Sequence, residues 1–270
     1  MKAKNSPARK HRSNRAWIQR HLADPYVQAA TRDGYRSRAA YKLIEIDDRD
    51  RLIRPPATVV ELGAAPGSWT QVIVQRLSDR SGRLRGRVVA LDLLPIEPIE
   101  GVQAIEGDFR EEAVERSLVE ALQGRPADLI VSDMSPNLSG IDAADAARSQ
   151  DLCDLVLQFA VNHLKPGGDL LVKAFHSSGF SQYVHQLKRR FSTVSARKPA
   201  ASRPGSAVSG VSFWPASNIS SRMNGTALKR ASGAAVESFF RSTSTTPRRA
   251  ISSSRWRTSL QKPCLSNAGP

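Results

Sequence analysis

The stretch Val59-Val60-Glu61-Leu62-Gly63-Ala64-Ala65-Pro66-Gly67-Ser68-Trp69-Thr70 limits what this 270-residue chain can fold into more than any other part of it. A β-branched run breaks at Gly63, passes through small residues and Pro66-Gly67, and continues into an apolar-periodic segment from Val72 to Leu77. That pattern predicts a buried strand, a tight loop and a helix start. Gly63 and Gly67 carry no Cβ, so the backbone there can turn sharply or let a ligand come close. The free N–H groups of a helix N-terminus attract anionic groups. A plain strand–turn–helix would read the same way, so the loop alone does not establish a binding site.

The strands that follow supply the rest of the argument. Residues 87–92 predict a second strand ending in Asp92, 25 positions beyond Gly67. An acidic residue there can accept hydrogen bonds from ribose hydroxyls in nucleotide-binding α/β folds. A third strand, 102–105, leads to Gly107-Asp108-Phe109, and a continuous apolar run, 127–132, leads to Asp133. Continuous apolar runs indicate strands buried on both faces of a parallel sheet. Ligands of open α/β sheets bind outside the carboxyl ends of such strands. A fifth strand, 169–175, carries Lys173 within an otherwise apolar run, which is costly unless that lysine is paired or functional. Helices are predicted near 111–123, 145–164 and 179–190, with Lys165-Pro166-Gly167-Gly168 as a stop signal and a further strand at 192–197. Upstream, two short helical pieces are expected around Asp24-Pro25. A helix follows with Ser37 as N-cap and Ala40, Leu43 and Ile44 on its buried face. Lys42 falls off that face, where a lone lysine is ordinarily solvated.

Charge is unevenly spread. The net charge of +15 divides into +8 over residues 1–38, −2 over 39–202 and +9 over 203–270. Basic ends around a near-neutral core favour a polyanionic partner such as RNA, with Arg32, Arg36, Arg38 and the basic arm 1–16 as the expected phosphate contacts. Cys153 and Cys264 are too few and too far apart for a disulfide framework or a metal cluster, which suits a reducing cytoplasm. No metal is expected. No apolar run is long enough to span a membrane, and the first residues lack the apolar core of a secretory signal.

Together these stretches closely resemble the FtsJ/RlmE family of S-adenosylmethionine-dependent 2′-O-methyltransferases. They are Asp24-Pro25-Tyr26-Val27, Arg36-Ser37-Arg38-Ala39-Ala40-Tyr41-Lys42-Leu43, Glu61 to Trp69, Asp92-Leu93-Leu94-Pro95 and Gly107-Asp108-Phe109-Arg110. They continue with Ser132 to Gly140, Val172-Lys173-Ala174-Phe175 and Arg197-Lys198-Pro199. The resemblance runs from about residue 13 to 203. It implies an α/β class I methyltransferase (Rossmann-like) sheet, ordered 3-2-1-4-5-7-6 with the last strand antiparallel. By position it implies Gly67, Trp69, Asp92, Asp108 and Asp133 as S-adenosylmethionine contacts. Lys42, Asp133 and Lys173 match the first three members of the family's Lys-Asp-Lys-Glu set, with Lys173 as proton acceptor. The implied substrate is a uridine ribose of 23S-type RNA in the large ribosomal subunit, methylated by a monomer during late ribosome assembly. The chain then divides into a basic arm (1–16), an RNA-contacting helical segment (17–57), the methyltransferase domain (58–203) and a Ser/Arg-rich tail (204–270).

The family pattern stops abruptly. Counting on from Lys198-Pro199, the family glutamate falls at Val208, and the only later acid is Glu237. The composition beyond residue 203 predicts a disordered tail, the kind of sequence a shifted reading frame near codon 204 would leave. Losing the last strand would open an interior position of the sheet, unless the alternating segment 207–214 fills it. A protein of this fold that binds ribosomes without turnover is therefore the competing reading. A nicotinamide-dependent oxidoreductase shares the glycine loop and Asp92 but leaves Asp133, Lys173 and the basic arm unexplained.

Overall fold

A computed structural model describes residues 19, 21–137, 139–175, 177 and 179–202, together with the backbone of strand 208–214. These lie in one compact unit, Met1–Ser221. The predicted arm 1–16 and the predicted tail, apart from that one strand, lie outside the described residues. In chain order the elements are α1 (Pro25–Arg32), α2 (Ala40–Asp50), β1 (Ala57–Leu62), α3 (Ser68–Leu77), β2 (Gly86–Asp92), β3 (Val102–Glu106) and α4 (Glu112–Ala121). They continue as β4 (Ala127–Ser132), α5 (Asp142–His163), β5 (Leu164–Phe175), α6 (Phe180–Arg190), β6 (Thr193–Arg197) and β7 (Val208–Trp214). Among the described residues, no helix is long and apolar enough to cross a membrane.

The seven strands form one sheet in the order β3-β2-β1-β4-β5-β7-β6. The first five are parallel, and β7 runs antiparallel between β5 and β6. The central strands are mainly apolar because helices cover both faces. Alternate residues point opposite ways. Val60, Val89 and Ile130 face one core with Leu118, Phe159 and Tyr183 of α4, α5 and α6. Val59, Val88 and Leu129 face the other with Leu43, Trp69 and Ile73 of α2 and α3.

Three local readings need correction. Ser37 does not cap α2, which starts at Ala40 without a side-chain cap. Its hydroxyl accepts from the Ala39 N–H and lies 2.7 Å from Ser68 Oγ, joining the turn to the start of α3 instead. Lys165 to Gly168 does not separate helix from strand. Leu164 already pairs with Ala127, and the ladder resumes at Asp169 opposite Leu129, so the turn-forming residues bulge out within β5. The interior position at issue in the sheet is occupied: Val208 pairs with Phe175 and Gly210 with Lys173 on one side, and Trp214 pairs with Thr193 on the other.

The carboxyl edge of the sheet is tight at its centre. Gly63 has φ +79°, and a Cβ there would lie 2.8 Å from the backbone nitrogen of Met134. Gly63→Ala should therefore destabilise the fold by about 2–4 kcal/mol through backbone strain and overpacking. The expected readout is a urea or thermal midpoint well below the parent's, and an unchanged midpoint would show that the β1 and β4 termini can separate freely.

Candidate active site

Every functional side chain anticipated from the parallel strands arrives at this same edge. β4 ends in Asp133, and β5 brings Lys173 alongside it. The Lys173 ammonium is 3.1 Å from Asp133 Oδ1, and its side chain is only 10% exposed. It donates a hydrogen bond to the Asp133 carbonyl oxygen. The carboxylate Oδ1 is buried and accepts no hydrogen bond, so it faces Lys173 as a charged neighbour. Lys42 approaches from α2, with its Nζ 3.8 Å from Asp133 Oδ2. Lys42 is thus not the solvated helical lysine expected from its position off the apolar face; its side chain is 21% exposed. The three groups border a small cavity of about 20 Å³, walled by Trp69, Ile46, Leu171, Val172, Pro199 and Ser202.

Next to it, Asp133 also forms part of a larger cleft of about 440 Å³ along the ends of β1, β2 and β4, with Gly63, Ala65, Asp92, Asp108 and Met134 in its walls. Asp92 is fixed in place: it accepts from the N–H groups of Ala65 (2.8 Å) and Leu94 (2.9 Å). That ties the end of β2 to the glycine loop. Asp108 is held by Arg110, whose hydrogen bonds keep its carboxyl below the usual carboxylate range. Gly67 and Trp69 are not in the walls of this cleft. Gly67 has φ +101°, and a Cβ there would lie 2.5 Å from Arg36 Nη1. Trp69 is buried on the Lys42 side, its indole N–H donating to the Ala39 carbonyl at 2.8 Å.

The three arginines separate by environment. Arg36 donates to the carbonyls of Pro66 (3.0 Å), Glu97 (2.8 Å) and Pro98 (3.3 Å), clamping the glycine loop to the connection after β2. Arg38 ion-pairs with Asp24, the N-cap of α1, and donates to the Ala201 carbonyl. Both guanidinium groups are thus engaged by protein acceptors. Arg32 is also paired, donating to the Asp33 carboxylate at 2.8 and 3.3 Å, but its side chain is 74% exposed.

Two contributors escaped the sequence reading. Glu45 accepts from the N–H groups of Ala200 (2.6 Å) and Ala201 (3.0 Å), so α2 carries the loop that closes the small cavity. Glu61, on β1, is 1% exposed and accepts from the Thr70 hydroxyl at 2.6 Å. Burial, with the nearby Asp133 and Asp92 carboxylates, pushes its pKa up to about 8 despite that hydrogen bond. A single acid in an otherwise apolar strand was the available signal for it.

An open sheet of this order, with a lysine–aspartate–lysine cluster beside a cleft at a glycine loop, defines a class I methyltransferase. The sequence profile of the FtsJ-like methyltransferase family matches residues 35–210, and the chain belongs to that family. It is 55% identical over 201 residues to "Ribosomal RNA large subunit methyltransferase E" of Burkholderia mallei, covering 72% of this chain and 91% of that protein. The Burkholderia thailandensis protein of the same name is 56% identical over the same length and shares. Among solved structures, a Plasmodium falciparum protein assigned as a ribosomal RNA methyltransferase superposes with a TM-score of 0.58. It is 28% identical, covering 67% of this chain and 97% of that one.

The Glu61 environment makes stability depend on pH. The unfolded carboxyl titrates near its ordinary 4.5 and the folded one near 8. Between those values the native state holds a proton that the unfolded chain has released. The stability so contributed is complete below the unfolded value and is lost as pH rises to the folded one, by up to about 1.4 kcal/mol per pH unit. Glu61→Gln should flatten that decline in urea midpoints measured at three pH values across the window. Parallel profiles for parent and variant would show that Glu61 is ionised when buried.

Proposed function

We propose that this chain transfers the methyl group of S-adenosylmethionine to the 2′-oxygen of a uridine ribose in 23S-type RNA of the large ribosomal subunit. The observation that carries the reading is the pairing of Lys173 and Lys42 with Asp133 at the border of the two cavities. A binding protein without turnover has no need of a lysine buried in a sheet against a carboxylate, which costs stability unless it does chemistry. The names of the Burkholderia relatives support the RNA substrate.

The walls of the larger cleft suit S-adenosylmethionine. Asp92, already oriented by two backbone N–H groups, can still accept from ribose hydroxyls, and Asp108 and Asp133 supply further acceptors. Gly67 and Trp69 act from behind, shaping the loop and the wall between the cavities. The bound cofactor supplies an electrophilic sulfonium methyl. The protein then has to hold the 2′-oxygen in line with it and remove one proton. Lys173 in its neutral amine form takes that proton and becomes the ammonium, Asp133 orients it, and Lys42 flanks the oxygen as charge builds on it.

In this reading the RNA meets residues 17–57 as well as the methyltransferase domain 58–203. Arg32 contacts phosphate directly, while Arg36 and Arg38 act by positioning the glycine loop and the segment that bears Ala201. The protein works as a cytoplasmic monomer.

Labelled methyl transfer to hypomethylated large subunits tests the proposal. Lys173→Ala should reduce turnover by about 10³-fold while leaving cofactor affinity near the parent's. Turnover within a few-fold of the parent would remove Lys173 from the chemistry. Val208→Glu restores the family residue at the start of β7, paired across to Phe175. It should raise turnover by roughly tenfold. No gain would mean that the missing carboxylate is dispensable in this chain.

A further inference from the structure

The small cavity contains one polar group that the reaction as described leaves unused. Ser202 lines it together with Lys42, Asp133 and Lys173. The residue is 8% exposed, and among the described residues its Oγ has no hydrogen-bond partner. A buried hydroxyl left unpaired is destabilising, so one that persists calls for a cause. Its backbone is held on purpose-built supports. The Ser202 N–H donates to the Pro199 carbonyl at 2.9 Å. Glu45 fixes the two preceding N–H groups, and Arg38 takes the Ala201 carbonyl. Asp24 in turn holds Arg38. Four contacts, two from Glu45 of α2, one from Arg38 in the turn before it and one from the loop itself, thus hold the segment that carries an unsatisfied side chain.

Asp133 lines the same space, but its buried Oδ1 already faces the Lys173 ammonium at 3.1 Å, which leaves the Ser202 hydroxyl as the group in need of a partner. The cavity, about 20 Å³, holds a single oxygen-sized group. A guest hydroxyl that hydrogen-bonds Ser202 Oγ would satisfy it. Apolar walls from Ile46, Trp69 and Val172 would keep water from competing with it.

We propose that Ser202 is a substrate-positioning residue whose hydroxyl hydrogen-bonds a hydroxyl of the target ribose, so that this pocket recognises ribose over deoxyribose. The assignment rests on the methyl-transfer reading for its substrate class. It assigns a role to a residue outside the Lys42–Asp133–Lys173 set.

The test compares the full chain with Ser202→Ala in three measurements. They are methyl transfer to hypomethylated large subunits, affinity for a short uridine-containing RNA against its 2′-deoxy counterpart, and thermal midpoint. The parent should bind the ribose form about five- to tenfold more tightly, the worth of one hydrogen bond. Ser202→Ala should reduce that preference to below about twofold and turnover by about tenfold. Its cofactor affinity should be unchanged and its melting midpoint equal or higher, because the variant removes an unpaired buried hydroxyl rather than a bond. A structural hydroxyl would instead lower the midpoint and all activities together, and that result would overturn the assignment. So would a variant that keeps the parent's turnover and ribose preference. A parent that transfers no methyl but shows the ribose preference, lost in Ser202→Ala, would sink the methyl-transfer reading and uphold Ser202. A parent with neither property would sink both.

Discussion

A lysine inside a parallel sheet has to be compensated where it stands. β5 buries Leu170, Leu171, Val172 and Ala174, and between them Lys173 brings a charge that neither sheet neighbours nor helices can solvate. Asp133 meets it because β4 lies beside β5 and both end at the same edge. Much of the remaining architecture follows from holding that aspartate in place. The close approach of Gly63 to Met134 keeps the β1 terminus against the turn after β4, and the Asp133 N–H donates to the Leu62 carbonyl. Lys42 has to come from outside the sheet, so the position of α2 decides whether the cluster around Asp133 forms.

The framework that holds α2 is electrostatic as well as apolar. Ala40, Leu43 and Ile46 anchor it on the core with Trp69 and Val72. At its far end, Arg197 of β6 forms paired hydrogen bonds to Asp50 at 2.9 and 3.0 Å. Fork-shaped pairs of this kind fix orientation as well as distance. α2 is therefore tied to the last strands of the sheet and, through Glu45, to the loop over the small cavity. The N-terminal helical segment and the end of the domain meet at this helix.

This explains what could be read from the residues alone. The strands and their terminal Gly63, Asp92, Asp108 and Asp133 were legible because an apolar run and the residue that ends it are local features. So was Lys173, since a charge inside such a run announces its own cost. Lys42 was not, because its partner lies 91 positions away on another element, and helical periodicity only placed it off the core. Arg36 and Arg38 looked like a basic surface for the same reason: the carbonyls and the carboxylate that engage them come from the loops after β1 and β2, the cap of α1 and the segment after β6. Ser37 had the composition of a helix cap, but a hydroxyl on Ser68, 31 residues on, drew it elsewhere. The Lys165–Gly168 segment was read as a helix stop, and α5 does end just before it, at His163. Its effect on the ladder depended on Leu164 already finding Ala127.

The end of the domain shows how separable fold and chemistry are. An interior strand is held first by its backbone ladder, and β7 satisfies both neighbours, opposite β5 and opposite β6. The segment 208–214 supplies the alternation and β-branched or aromatic content that such a position favours, although it departs from the family's residues. The ladder on either side of position 208 is made by backbone groups, whatever side chain stands there. Valine there, where the family pattern expects glutamate, therefore leaves the register available. The sheet tolerates the substitution because backbone pairing is blind to it. Under the methyl-transfer proposal the chemistry has no such indifference, so position 208 is where the requirements of the fold and those of the reaction would part.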